Sequence, residues 1–374
     1  MEIYSLGSNG SGQLGIGNSE DASIPTRCKV AHNRNDICGW PVKVRAGGNH
    51  TLILLSTGQI YFCGTHEQHQ NKAEALPFDP SNVVLNLVQF GNGSHLFKLC
   101  STTWSASIVV TMDDRVFTWG LGNKGELGQG EAAFRAVNPS QLLNFTDVLL
   151  GGNTIADIAS GVHHSVVVLS DGTVYGWGNG RKGQLGEPSG IIWEPRVING
   201  LKFKASRAVC GHEFTFILGD PEEGRYAMLG TDKWNVKSDA PGGFPGWRDL
   251  GASWGSIFVL NHQNEIISWG RNDHGQLAPA QLPPIEQMAI GSEHGLVLTE
   301  DSRVLAWGWG EHGNCGSPTN KQGDVNPRWN EIWRSELGEH DSAMGIGAGC
   351  ATSWIWSNPD ASRDPKLLTE VSLN

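Results

Sequence analysis

Histidine, cysteine and glutamate side chains, which are common metal ligands, lie close together in the last third of the sequence. Glu311, His312 and Cys315 fall within one short loop, and Glu293 and His294 precede them. This spacing could bring two zinc ligands together on one loop. Structural zinc sites use four ligands, and no second ligand pair lies nearby, so we predict that this chain holds no metal of its own.

A second candidate metal pair, His66 and His69 with Glu67 between them, also lacks neighbouring ligands. Serine-based catalysis is not indicated, because no Gly-x-Ser-x-Gly segment joins a strand to a helix. Glycine-rich segments such as 120–125 are not followed by a helix whose N-terminus could bind phosphate. We therefore predict no catalytic residues and no cofactor, and we interpret these glycines as turn residues.

The composition indicates many short β-strands joined by tight turns. The 374 residues include 50 glycines and 15 tryptophans, and no long segment carries apolar residues at helical spacing. The net charge is −11, and no run of five or more lysines or arginines occurs. A basic patch is the usual signature of nucleic-acid binding, so we predict no direct contact with DNA or RNA.

The cysteines and the apolar segments indicate a reducing location. Seven cysteines are scattered along the chain and none forms a Cys-x-x-Cys pair, which argues against a zinc ribbon or a redox motif. The first residues show no signal peptide, and no run of 18 apolar residues predicts a membrane span. We expect a cytoplasmic location, with the nucleus as an additional one, and no membrane contact.

Repeats organise the chain from end to end. In each copy a strand closes on an apolar residue followed by glycine, and the copies are 38 to 58 residues apart. The glycines are Gly7, Gly64, Gly120, Gly178, Gly230, Gly270 and Gly308. Before the later copies lies a hairpin signal, clearest in 158–178, where Asp171-Gly172 favours a tight turn. A loop of the form Gly-Gln-Leu-Gly follows several copies, and its leucine is predicted to pack back onto the blade.

Seven such units predict an all-β, seven-bladed β-propeller with four strands in each blade. Six complete hairpin units span about 42–64, 98–120, 156–178, 207–230, 249–270 and 287–308. The seventh unit is split between 3–7 and 343–356, so N-terminal and C-terminal strands are expected to pair and close the ring. We predict a single propeller domain over 1–357 and a polar, disordered tail over 358–374.

Two blades depart from the pattern. The second has lost the Leu-Gly anchor after Gly64, and the fifth has a glycine- and proline-rich segment from Lys233 to Gly246. Such loss marks either relaxed constraint or a specialised surface.

The repeated phrases Gly-x-x-His-Ser, Asp-Gly-x-Val-Tyr-x-Trp-Gly and Gly-Gln-Leu-Gly resemble the regulator-of-chromosome-condensation repeat over nearly the whole chain. Among such propellers, the segments 291–298, 307–316 and 349–355 resemble the fungal killer-toxin-insensitivity family, also called alpha-tubulin suppressors. The opening 7–17 and the segment 46–50 resemble that family as well. The middle third matches only as generic repeats, and a fold of this kind hosts many functions.

That resemblance implies a heterodimer with the small CSL-type zinc-binding protein of diphthamide synthesis, which carries the zinc or iron itself. Through this partner the propeller would support diphthamide modification of elongation factor 2 and Elongator-dependent modification of wobble uridines in tRNA. Its contact with Elongator and the diphthamide enzymes would be indirect. Two alternatives remain at this point, which are guanine-nucleotide exchange on a small GTPase and a tubulin-linked scaffold.

Turn positions that carry aromatic or charged side chains, where small polar residues would suffice, are the candidate partner-binding residues. Because they occupy like positions in successive blades, we expect them to gather on one face around the channel, with an acidic character from Glu293 and Glu311. The candidates are Asn49, His50, Trp104, His212, Glu213, Trp254, Glu293, His294, Trp309, Glu311, His312 and Cys315.

Overall fold

A computed structural model describes residues 1–31, 37–66, 83–89, 95–142, 152–334 and 343–357. Its strands form seven antiparallel sheets around one channel, which confirms the all-β, seven-bladed propeller. The predicted tail 358–374 lies outside the described residues. No helix in the described part of the chain is long and apolar enough to cross a membrane.

The blades are numbered here in ring order, and the strands of each are given from the channel outwards. Blade 1 contains β25 (Ala343–Ala348), β26 (Thr352–Ser357), β1 (Glu2–Gly7) and β2 (Ala22–Arg27); blade 2 contains β3 (Pro41–Ala46), β4 (His50–Leu55), β5 (Ile60–Gly64) and β6 (Asn86–Leu87); blade 3 contains β7 (Phe97–Thr102), β8 (Ala106–Thr111), β9 (Val116–Leu121) and β10 (Arg135–Gln141). Blade 4 contains β11 (Ile155–Ser160), β12 (His164–Leu169), β13 (Val174–Asn179) and β14 (Ile191–Val197); blade 5 contains β15 (Arg207–Cys210), β16 (Phe214–Leu218) and β17 (Tyr226–Gly230); blade 6 contains β18 (Trp247–Ala252), β19 (Ser256–Asn261) and β20 (Ile266–Gly270); blade 7 contains β21 (Ile285–Ile290), β22 (His294–Thr299), β23 (Arg303–Trp309) and β24 (Asp324–Arg334).

The second strand of each blade is the centre of the hydrophobic core. Every residue of β12 is buried, and its Val166, Val167 and Val168 are fully covered by the neighbouring blades. Such a continuous apolar run is typical of a strand that is covered on both faces. The core therefore lies between the blades, in seven clusters that follow the ring.

Blade 1 closes the ring as predicted. β1 pairs with β26 over six residue pairs, from Glu2 opposite Ser357 to Gly7 opposite Thr352. The two ends of the described chain thus contribute to one four-stranded sheet, and this pairing joins blade 7 to blade 2.

Blades 5 and 6 correct the prediction of four strands in every blade, because each contains only three strands, and all residues between β15 and β21 are described. After β20 only 14 residues remain before β21 begins, and they run through turns near Pro283 and Pro284. In blade 5 the corresponding segment forms a 3-10 turn at Lys233–Asn235. In blade 6 the connecting segment is short, and in blade 5 the turn leads the chain away from the sheet. The outer edges of β17 and β20 therefore have no fourth strand.

The loops that follow the third strands connect neighbouring blades through buried leucines and hydrogen bonds. Leu14, Leu127 and Leu185 are fully buried, as predicted for the leucine of the Gly-Gln-Leu-Gly phrase. The neighbouring carbonyls accept hydrogen bonds from the following blade, for example Glu126 O from the indole Nε1 of Trp177 at 2.9 Å and Gln276 O from Trp307 Nε1 at 2.9 Å. These loops and indoles therefore serve the fold.

Candidate functional site

The turns that join the first and second strands of the blades form one face around the mouth of the channel, called the turn face here. Backbone hydrogen bonds connect neighbouring turns: Gly48 N donates to Trp104 O at 2.8 Å, and Trp104 N donates to Val162 O at 2.9 Å. His212 N likewise donates to Trp254 O at 2.9 Å, and Trp254 N to Ser292 O at 2.9 Å. The middle residue of each of these three-residue turns is thereby fixed next to the channel.

Three of the candidate residues meet at this face. The rings of Trp104 (blade 3) and Trp254 (blade 6) have centroids 5.7 Å apart, so they touch across the mouth of the channel. His212 lies 6.3 Å from Trp254, and His163 lies 6.5 Å from His212. We call these four residues the aromatic cluster. Trp104 and Trp254 are half-buried and His212 is exposed, which leaves aromatic surface available to a partner.

A second group lies further from the channel on the same face. Trp309 is half-buried between His274, at 5.7 Å, and His312, at 6.2 Å. His312 Nδ1 is 2.9 Å from Asp21 Oδ2 of the adjoining blade. Glu311 is exposed beside them.

Arg271 connects the two groups. Its Nη1 donates to Glu293 Oε1 at 2.7 Å, and its guanidinium lies 5.1 Å from the ring centroid of Trp234, a cation–π contact. Gln276 Nε2 donates to Glu293 Oε2 at 2.8 Å, so the buried carboxylate is fully paired. Burial raises the pKa of Glu293, while Gln276 and Arg271 oppose that shift. Because Glu293 is buried and compensated, it adds little acidic character to the face, contrary to our expectation.

Trp234 is an accessible tryptophan that the sequence analysis missed. Its side chain is 43% exposed, and its backbone has a φ of 62°, which costs free energy for a bulky residue. Together with His212, Glu213, Trp254 and Arg271 it lines a cavity of about 230 Å³. The irregular segment that begins at Lys233 was the one feature of the sequence that could have indicated it. In the structure this segment lines the cavity next to the aromatic cluster.

Two candidate histidines lie inside the protein. His50 and His294 are fully buried at the first position of β4 and β22. His294 Nε2 lies 3.0 Å from Ser353 Oγ, which in turn donates to Asn314 O at 2.7 Å. Burial lowers the pKa of His50 to about 3 and that of His294 to about 4, so both rings are neutral at pH 7. They support the turn face from below and offer no side-chain surface to a partner.

Cys315 is also interior, and the sequence explains why. It occupies the position of the anchor leucine, since Gly313-Asn-Cys-Gly316 corresponds to Gly12-Gln-Leu-Gly15. Its side chain is fully buried, and burial raises the pKa of the thiol. Cys315, a candidate partner-binding residue, therefore fills the anchor position and offers no surface to a partner.

The remaining candidates, Asn49 and Glu213, are half-buried on the turn face. Asn49 O accepts a hydrogen bond from Thr65 N at 2.8 Å, and Glu213 Oε2 accepts one from Thr231 Oγ1 at 3.4 Å. In the part of the chain that the structure describes, no three His, Cys, Asp or Glu side chains converge as a metal site. Of the pair proposed from spacing alone, His66 contacts Ser107 Oγ at 2.8 Å and His69 lies outside the described residues.

Comparison with known proteins decides the family. Residues 2–355 match the RCC1-like domain. This chain belongs to the RCC1-like domain family. An RCC1 repeat-containing protein of Schizosaccharomyces pombe is 32% identical to this RCC1-like propeller over 387 residues, which cover 94% of this chain and 98% of that protein.

One further sequence relative and one solved structure are also similar to this RCC1-like propeller. A secretion-regulating guanine nucleotide exchange factor of Bos taurus is 25% identical over 290 residues, covering 74% of this chain and 49% of that protein. The crystal structure of Prp20p from Saccharomyces cerevisiae superposes with a TM-score of 0.75 at 18% identity, covering 96% of this chain and 91% of that one. The last similarity shows the fold alone.

Proposed function

We propose that this RCC1-like propeller is a non-enzymatic docking and regulatory subunit that binds one small protein partner through the turn face. The observation that carries the proposal is the aromatic cluster, where Trp104 and Trp254 stay half-buried at the centre of the face. Trp177 and Trp307, by contrast, are fully buried between blades. Accessible aromatic side chains at the centre of a surface are typical of binding hot spots.

The partner that the sequence resemblance implies is the small CSL-type zinc-binding protein of diphthamide synthesis. In this heterodimer the zinc or iron belongs to the partner, and the propeller supplies a surface. The pair would support diphthamide modification of elongation factor 2 and Elongator-dependent wobble-uridine modification, in the cytoplasm or the nucleus. Of the segments that carry the resemblance, 307–316 contains Trp309 and His312 of the second group, and 291–298 begins in the neighbouring turn.

Two carboxylates on the turn face would suit a basic or amide-rich segment of the partner. Glu311 is exposed and Glu213 is half-buried beside the aromatic cluster, and neither forms an ion pair among the described residues. A standard interface buries about 1,600 Å² in total. A face that runs from Trp104 through Arg271 to Trp309 offers aromatic anchors across such an area.

Titration calorimetry with the purified zinc protein tests this proposal. Trp254→Ala and Trp309→Ala should each reduce the binding free energy by about 2 kcal/mol, as expected for hot-spot residues. Met112→Ala is the matched control, because Met112 is 56% exposed on the opposite face. Unchanged affinity in both tryptophan variants would show that the partner binds elsewhere or not at all.

Guanine-nucleotide exchange on a small GTPase is the second candidate, favoured by the relationship to the exchange factor of Bos taurus. A nucleotide-release assay with a Ran-type GTPase separates the two functions. Release that depends on Trp254 but needs no zinc protein would favour exchange, and absence of release would favour docking.

A further inference from the structure

The channel contains a layer of charged side chains at one height. Lys43, Asp157, Arg207, Asp249 and Gln287 each pair with the fifth residue of the adjacent second strand, so they occupy equivalent positions in five inner strands. All five line a cavity of about 490 Å³. The propeller geometry therefore points these side chains towards one another.

Arg207 is compensated within this layer. Its Nε donates to Asp157 Oδ2 at 3.2 Å, and its Nη2 lies 3.5 Å from Asp249 Oδ1. Asp157 Oδ2 also accepts a hydrogen bond from Ala208 N at 3.0 Å. Both carboxylates in the layer thus contact Arg207, and at longer range they also attract Lys43 and Arg45.

Lys43 and Arg45 are not compensated in this way. They lie two residues apart on β3, so both side chains project from the same face of the strand into the cavity. Within the described residues neither cation has a carboxylate at ion-pair distance, and Arg45 Nη1 only donates to Val44 O at 3.3 Å. The protein carries a net charge of −11, yet Lys43, Arg45 and Arg207 leave this part of the channel with one positive charge more than the two carboxylates supply.

The two cations act on each other. Repulsion from Arg45, followed by burial, lowers the pKa of Lys43 to about 8. An anion between them would remove this repulsion and would gain charge-assisted hydrogen bonds, for which arginine and phosphate have matching geometry. The contact of Trp104 with Trp254 narrows the channel at the turn face, and the cavity of about 490 Å³ suits a compact ligand.

We propose that the channel is a binding site for a small phosphate-class anion, held between Lys43 Nζ and the guanidinium of Arg45. This site differs in its residues from the proposed docking surface, although Trp104 and Trp254 also line the cavity at the turn face. Arg207 contributes indirectly, since it pairs with Asp157 and Asp249 and offsets one of the two negative charges that repel the ligand.

Calorimetric titration of the full chain with pyrophosphate at pH 7 and low salt tests the site. We expect submillimolar binding, weakened about tenfold or more by Lys43→Gln and by Arg45→Gln, since loss of one charged hydrogen bond costs at least that much. Lys182→Gln, which removes an exposed lysine from a turn-face loop, is the control and should bind like the wild type. Asp249→Asn should bind more tightly, because it removes a negative charge from the layer.

A second measurement covers the case in which Arg45→Gln does not fold. The pKa of the Lys43 amine, followed by NMR in the wild type, should rise when pyrophosphate is added. No binding at millimolar pyrophosphate, equal affinity in Lys43→Gln and the wild type, or an unchanged Lys43 pKa at saturating pyrophosphate would each overturn the proposal.

Discussion

Trp104 and Trp254 stand three blades apart in the ring, yet their indole rings lie 5.7 Å from each other across the channel mouth. Each backbone is held by the neighbouring turn, so the contact depends on closure of the whole ring. Two residues that are 150 positions apart in the chain thus form the centre of the turn face.

This contact should be measurable as a coupling energy. In a double-mutant cycle of Trp104→Ala and Trp254→Ala, followed by denaturant unfolding, we expect a coupling of about 0.5 to 1.5 kcal/mol, the usual range for aromatic pairs. A cycle of Trp254→Ala with the distant Met112→Ala should show none. Additive effects of the two tryptophan changes would mean that the rings do not interact in solution.

The pair of Arg271 and Glu293 should matter most for stability near neutral pH. Arg271→Gln leaves the buried Glu293 carboxylate with Gln276 alone, and we expect a loss of about 2 kcal/mol, a value reduced because Arg271 is partly exposed. The pKa of Glu293 is already raised by burial, so protonation on going to pH 5 should recover part of the loss. Urea unfolding at both pH values measures this difference.

The double variant Arg271→Gln/Glu293→Gln is the control for that experiment, because it removes the buried charge. It should be more stable at pH 7 than Arg271→Gln alone. A single variant whose stability deficit is the same at pH 5 and pH 7 would contradict the assignment.

Buried histidines predict destabilisation by acid. His294 has a folded-state pKa of about 4, below the unfolded value of 6.5, so the unfolded chain binds more protons between these values. The stability from the neutral ring is complete above pH 6.5 and is lost as the pH falls towards 4. At pH 5 the loss is on the order of 2 kcal/mol for this residue.

His294→Gln tests this, because glutamine retains a polar group near Ser353 but does not titrate. The variant should be less stable at pH 7 and should lose less stability between pH 7 and pH 5 than the wild type. Thermal unfolding across this range gives the comparison, and an unchanged pH slope would exclude His294 as a contributor.

Substitutions at Cys315 and Glu311 should distinguish effects on stability from effects on partner binding. Cys315→Ala removes a buried anchor and should cost about 1 kcal/mol of unfolding free energy without altering partner affinity. Glu311→Ala should leave stability within about 0.5 kcal/mol, because the residue is exposed, but should weaken the zinc-protein complex. Cys38→Ala, at an exposed cysteine, controls for the loss of a thiol. If Cys315→Ala is fully folded and still binds the zinc protein more weakly, Cys315 contributes to binding and not only to the fold.

The repeats made the architecture predictable because each hairpin carries its own local signals. Asp171-Gly172 and the residues around it form the turn between β12 and β13 as expected, and the split blade closes through β1 and β26. The number of strands per blade was harder to predict from the sequence. A fourth strand forms only if the chain between blades is long and straight enough, and its residues are exposed and poorly patterned, as in β10.

That candidate residues converge on one face was predictable from the sequence, but their burial was not. Turn positions identified Trp104, His212 and Trp254 correctly as neighbours, because equivalent positions in a propeller converge. Burial could not be inferred for His50 and His294, since a histidine at a turn suits both an interface and a core. Trp234 was missed because its left-handed backbone and its contact with Arg271 depend on tertiary structure.

The pairing of β1 with β26 has a mechanical consequence. The register sets Glu2 opposite Ser357, so the outer ends of both strands lie at the same end of the sheet. A pulling force applied at these two residues would load the hydrogen bonds one after another, as in a zipper, instead of all together in shear. Blade 1 is therefore the seam at which the ring should open first and at low force.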